Sequence, residues 1–198
     1  MKAVLISIQP KWCTKIASGE KTIEVRKTKP NIATPFKCYI YETLGKYIGR
    51  TTKHEGVGKV IGEFVCDRIY QYASDLFRST PVEGVDISTE EMVKMSCLTA
   101  KELYEYEHST EPRENCIYLV GVYGWHISNI VIYDEPKKLN EFTPHCRYMG
   151  DDMCDYRKVA CSYQVFDHNP WPDCSVNVVT CKRRMQRPPQ SWCYVEED

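Results

Sequence analysis

Gly19-Glu20-Lys21-Thr22-Ile23-Glu24-Val25-Arg26 places an ammonium, a carboxylate and a guanidinium within six residues. A planar polar or anionic ligand meeting all three would find a point charge, an acceptor and a fork-shaped donor together. Ile23 and Val25 alternate with Thr22, Glu24 and Arg26, the period-two pattern of a half-buried strand. Successive side chains on a strand point to opposite faces. The two apolar residues are therefore expected to face a core, with Thr22, Glu24 and Arg26 projecting from the other face. Lys21 falls at the turn feeding the strand. There an exposed side chain would be cheap to truncate, at under about 0.5 kcal/mol. The alternative is a solvated strand face carrying an ordinary ion pair.

The preceding residues must aim this strand. Ala3 to Ile8 form an apolar, largely β-branched run suited to a buried strand. Pro10 fits a first helical position and Gly19 the residue just past a helix end. Between them Trp12, Cys13, Ile16 and Ala17 recur at helical spacing, with Lys11, Lys15 and Ser18 on the complementary side. Strand, short helix, turn and strand thus account for the first thirty residues.

Gly19-x-Lys21-x-x-Glu24-x-Arg26 resembles the signature of the ASCH family, a branch of the PUA-like superfamily of small β-barrels that bind RNA or modified bases. Residues 35–41 (PFKCYIY) and 58–64 (GKVIGEF) resemble the family's next two strands. Residues 123–128 (YGWHIS), followed by Ile132-Tyr133-Asp134-x-Pro136, resemble the closing strand of prophage-type members. The resemblance covers residues 1–142 and implies an α+β, PUA-like small β-barrel with flanking helices and no required cofactor. Residues 143–198 are then expected to form a C-terminal cysteine-rich extension packing on that domain.

Two functions follow from the resemblance. One is binding of RNA or a modified nucleoside or nucleotide in a cleft beside the motif, with Lys21, Glu24, Arg26, Trp125 and His126 as ligand-binding candidates. The other is hydrolysis with Lys21 and Glu24 as catalytic candidates, either acetylcytidine amidohydrolase-like or ribonucleolytic. Amidohydrolases of the family carry a threonine nucleophile where this chain has Glu24. A carboxylate can serve as a general base but is not a hydroxyl nucleophile.

Trp125 and His126 fall on opposite faces of their strand. Trp125 is either a stacking plate for a base or a core residue. His126 is either a general base near neutrality or a hydrogen-bonded structural residue.

Charge is unevenly distributed although the net value is only −1. Residues 1–60 hold twelve Lys and Arg against four Glu, a balance of +8, while residues 61–120 hold five basic and twelve acidic side chains, a balance of −7. This asymmetry predicts one basic face near the motif, as phosphate contacts require. Solubilising lysines are the alternative, especially in the Gly- and Lys-rich loop 45–58.

The remaining elements are read coarsely. Residues 57–71 suit one long strand with Gly62 as a bulge or close-approach point. Residues 86–106 are helical, with capping boxes at Ser88/Glu91 and Thr99/Glu102. Residues 117–122 and 125–133 read as strands separated by Gly121 and Gly124. No run of 18 apolar residues and no signal-peptide pattern occurs, which points to a cytoplasmic protein with no membrane partner.

Eleven cysteines in that compartment argue for thiols or metal ligands over a disulfide framework. Six lie at Cys146, Cys154, Cys161, Cys174, Cys181 and Cys193, with His145 and His168 among them. Cys154, Cys161, Cys174 and Cys181 are the most symmetrical set for a structural zinc, with Cys146 or His168 as substitutes. The spacing lacks the tight C-x2-C knuckle of most such sites. Buried or free thiols are the alternative. Residues 187–195, with Trp192 and Tyr194, resemble the end of the same prophage-type proteins, and these aromatics are expected to dock on the core.

Overall fold

Strand β1 (Lys2–Ile8) buries every side chain from Ala3 to Ile8, as a largely apolar run requires, with Ser7 the polar exception. In this computed structural model, which describes residues 2–48, 54–74, 86–109, 121–144, 184–185 and 187–196, that strand is an interior strand of one of two sheets. Val4, Ile6 and Ile8 enter a core lying between the sheets, and Ala3 and Leu5 enter a second core on the opposite face. Helix α1 (Pro10–Ala17) begins at its proline and ends at Ser18, with Gly19 at φ +77°, a left-handed turn that glycine adopts without strain. The chain then enters β2 (Ile23–Arg26).

Strands β3 (Phe36–Glu42), β4 (Lys59–Cys66) and β5 (Ile69–Tyr72) follow. Two helices come next, α2 (Thr89–Ser96) and α3 (Ala100–His108), each opened by the expected capping box. Cys97, at φ 57°, separates them, so the helical stretch is two short elements. Strands β6 (Val122–His126), β7 (Ser128–Lys137) and β8 (Trp192–Glu196) complete the described elements. The larger sheet has the order β7-β4-β3-β1-β8 and the smaller one β2-β6-β5. Strands β1 and β3 run parallel, whereas β8 lies antiparallel to β1.

The expected small β-barrel is not closed among the described residues. Instead, two chain segments pass from one sheet to the other at a shared corner. Asp67 and Arg68 separate β4 from β5, and Ile127 separates β6 from β7. The corner is tied by His126 N donating to Arg68 O, Ile127 N to Thr22 O, and Ser128 Oγ to Val65 O. Strands that bend between sheets at such corners are how layered sheets share a core. The expected single strand over 57–71 is therefore two strands. Between β1 and β2, which are not hydrogen-bonded neighbours, Arg26 Nη2 donates to Ser7 O at 2.6 Å, so a side chain bridges that edge.

Two glycines mark close approaches. A Cβ on Gly62 would stand 2.4 Å from Val131 O, and the β4–β7 register shifts beside it. Gly124 does not separate strands as expected. It lies inside β6, where a Cβ would meet Ile23 Cγ2 and Met92 Cε at 2.9 Å, so its absent side chain lets α2 pack on the sheet. That packing forms a third core of Ile23, Val25, Tyr72, Ile87, Met92, Leu103 and Val122.

Trp192 and Tyr194 dock as expected, Trp192 lying 5.7 Å from Trp125 between ring centroids. The candidate zinc ligands Cys154, Cys161, Cys174 and Cys181 lie outside the described residues, as do Cys146 and His168. Among the described residues no group of three His, Cys, Asp or Glu is placed to hold a metal, and no helix is long and apolar enough to cross a membrane.

Cys13, Cys38 and Cys66 are buried free thiols in the inter-sheet core. Burial pushes the Cys66 thiol up to about 12 and raises Cys13 and Cys38 as well. The thiolate is the reactive form. Native alkylation at neutral pH is therefore expected to leave these three unmodified in peptide mass spectra, with labelling only in denaturant. Labelling of Cys38 in the native protein would contradict this core.

Candidate functional site

Strand β2 is buried on both faces. Ile23 and Val25 enter the core beneath α2 and α3, as their alternation predicts. Glu24 pairs directly with Trp125 across the β2–β6 ladder, and Arg26 with Tyr123. Directly opposed residues share a face. Glu24, Arg26, Trp125 and Tyr123 thus lie together on the inter-sheet side.

Lys21 differs from its expected exposed position. Its side chain is 3% exposed. Nζ donates to Ser96 O at 2.8 Å, at the C-terminal end of α2. Helix C-termini carry unpaired carbonyls and partial negative charge, which favour a cation there. Thr22 N donates to Met95 O and fixes the same junction. The expectation of a cheap turn position failed because α2, far along the sequence, covers it.

Glu24 is the hinge of the charge set. Its Oε2 lies 3.3 Å from Lys21 Nζ and its Oε1 3.1 Å from Arg26 Nη2. Both carboxylate oxygens are thereby matched to cations, but Glu24 Oε2 has no hydrogen-bond partner of good geometry. Arg26 Nε and Trp125 Nε1 are also buried without a partner. Buried polar groups are nearly always hydrogen-bonded, so three such atoms on facing residues call for an explanation. Ser7, whose carbonyl Arg26 engages, is itself fastened to the end of the chain: Ser7 Oγ donates to Pro189 O at 2.7 Å and Ser7 N to Ser191 O at 2.9 Å.

Trp125 is fully buried, with Phe36 edge-on at 6.0 Å and Trp192 tilted at 5.7 Å. It is beside the charges but its ring is part of the core. His126 faces away from the set. It pairs with Ile23, and adjacent strand residues point to opposite faces. At the corner between the sheets its Nδ1 meets Asp67 Oδ1 at 2.6 Å.

That hydrogen bond is the main cause holding the Asp67 carboxyl below its ordinary value. A depressed carboxylate contributes stability above the unfolded value of about 3.9, and loses it as pH falls through the folded value. His126→Phe is therefore expected to raise the Asp67 value in an NMR titration and shrink the acid-side loss of stability. An unchanged Asp67 titration would show that the histidine is not the cause.

The basic residues of the first sixty positions are not all together. Lys37 pairs with Glu63 on the far side of the larger sheet. Nearer the motif, lysines lie against aromatic rings that the sequence did not single out. Lys11 Nζ is 4.2 Å and Lys21 Nζ 5.1 Å from the Trp12 ring centroid. Lys29 Nζ is 5.3 Å from that of Tyr123, and Lys27 Nζ 5.5 Å from that of Tyr106. Trp12 was legible only as an apolar helix position, and no local signal marks its meeting with Lys21.

No family model matches the chain, and no curated protein matches it. Among solved structures it is similar to the crystal structure of ASCH from Zymomonas mobilis, at 19% identity over 70% of this chain and 75% of that one, with a TM-score of 0.46. It is similar to two mutant proteins of the same ASCH, each also at 19% identity, with TM-scores of 0.45 over 71% of this chain and 78% of that one, and 0.44 over 70% and 75%.

Proposed function

We propose that the chain binds RNA or a modified nucleoside or nucleotide beside the motif, through Lys21, Glu24 and Arg26. The carrying observation is the buried charge set, in which Arg26 Nε has no hydrogen-bond partner and Glu24 Oε2 has only its 3.3 Å ion pair with Lys21, on a face whose surroundings carry paired lysines and aromatic rings. Glu24 Oε2 is an acceptor and Arg26 Nε a donor, the complement of an N–H beside a carbonyl on a nucleobase edge. The lysines supply the phosphate term. Trp125 contributes by supporting Glu24 across the ladder, and His126 is left to the corner.

A hydrolytic reading, with Lys21 and Glu24 as catalytic residues, starts from a less prepared site. Lys21 Nζ is engaged by Ser96 O and Glu24, so in the binding reading it acts in place, as a fixed charge beside the ligand, whereas a proton-transfer or nucleophilic role would begin by breaking a buried contact.

The test is incubation of the purified protein with nucleosides, acetylcytidine among them, and unstructured RNA, followed by native and product mass spectrometry. Saturable retention without new products is the expected result, with RNA affinity falling steeply as salt rises. Turnover that disappears in Glu24→Gln would replace binding with hydrolysis. Failure of every probe to be retained or converted would overturn both readings. Arg26→Lys keeps the charge but loses the fork, so its retention is expected to fall at least tenfold, a typical loss of one charge-assisted contact of about 1.5–3 kcal/mol.

A further inference from the structure

A nucleobase held by its polar edge still has two apolar faces to cover. Trp125 cannot cover either, because its ring is fully buried between Phe36 and Trp192. Trp192 packs on Trp125 and Tyr194 and spends its indole N–H on Thr28 Oγ1. Trp12 is different. It is half-buried, packed on the inter-sheet core from its place in the first turn of α1. Its ring lies within cation–π distance of a motif residue, Lys21.

The ring is also held in place. Trp12 N donates to Gln9 O, and Lys21 N to Lys15 O, which ties α1 to the motif turn. The start of α1 is wedged by Pro10, against which a Cβ on Gly56 would stand 2.7 Å away. Lys21 is buried beside the indole, whereas Lys11 is exposed and rests 4.2 Å from its centroid. A lysine head over a partly exposed ring is a replaceable neighbour, because little is lost when it returns to water.

We propose that Trp12 is the stacking plate of this site and Lys11 its phosphate contact, so that the ligand is a base carrying a 5′-phosphate. This rests on the binding reading above. The base displaces the Lys11 head and lies on the indole beside Lys21, which Glu24 holds in turn together with Arg26. The displaced ammonium then meets the phosphate. A free nucleotide and a nucleotide within an RNA strand share this chemistry.

The full-length protein and its variants Trp12→Phe, Trp12→Leu, Lys11→Ala and Arg26→Lys would be titrated with the four ribonucleoside 5′-monophosphates and with a fluorescein-labelled, unstructured RNA. Thermal unfolding is recorded alongside. Trp12→Leu fills much of the same space without a π-face, so it is expected to weaken binding by roughly 5- to 150-fold, the range of one base–aromatic stack. Trp12→Phe should stay within a few-fold of the parent. Lys11→Ala should reduce the slope of log affinity against log salt by about one. Tight binding of monophosphates would identify a free nucleotide as ligand, and binding of RNA alone a strand.

Equal binding by Trp12→Leu and Trp12→Phe would overturn the stacking role, since packing alone would then explain the ring. If Arg26→Lys still loses affinity in that case, the motif site itself stands. Absence of binding by the parent protein to every probe would remove the site and the plate together.

Discussion

Glu24→Ala is expected to cost about 3–5 kcal/mol of stability, the usual result of stranding buried charge by removing its partner. Glu24 is 7% exposed at its side chain and separates Lys21 from Arg26, which are 3% and 13% exposed. Its removal leaves the cations of the motif turn and of β2 without the carboxylate between them. Lys21→Ala is expected to be severe as well, because it strips Ser96 O of its donor and leaves Glu24 with Arg26 alone. Most domains have only about 5–15 kcal/mol to lose. Urea unfolding of each variant, with unchanged m-value as the check on two-state behaviour, reads these costs directly. A Lys21→Ala loss under about 0.5 kcal/mol would mean that the residue behaves as a surface turn position and that α2 does not cover it.

Trp125→Ala should also cost about 3–5 kcal/mol, the range for deleting a buried aromatic. The indole sits at the meeting point of Phe36, Trp192 and the β2–β6 ladder, and its loss leaves a void among side chains that cannot collapse from two sheets at once. Trp125→Phe should cost much less, because the edge-on ring contact with Phe36 can partly re-form. If ligand retention per folded molecule is unchanged in Trp125→Phe, the residue is support for the site and not part of its surface. A large binding loss with native stability would restore Trp125 as a direct contact.

Local chemistry made several features readable. Pro10 and Gly19 bracket α1 because a fixed φ suits a helix start and an unhindered left-handed φ suits its exit. The two capping boxes announce α2 and α3 because each satisfies orphan amides within four residues. The alternation of Ile23 and Val25 predicted their burial, and the same period placed Glu24 and Arg26 within reach of each other. All of these depend on groups adjacent in the chain.

Tertiary structure decided what surrounds them. Lys21 reads as a turn residue because its neighbours are Gly19 and Glu20, but its partner Ser96 lies 75 positions away. The parallel pairing of β1 with β3, the capture of β1 by β8, and the corner at Asp67, Arg68 and Ile127 join segments with no shared local signal. Among the described residues that corner yields two sheets in place of the expected closed barrel, and it turns His126 toward Asp67 and away from Glu24. A side chain's period assigns it to a face of its own strand. Whether that face meets water, a helix end or another sheet is set by long-range packing, which no period within the strand encodes.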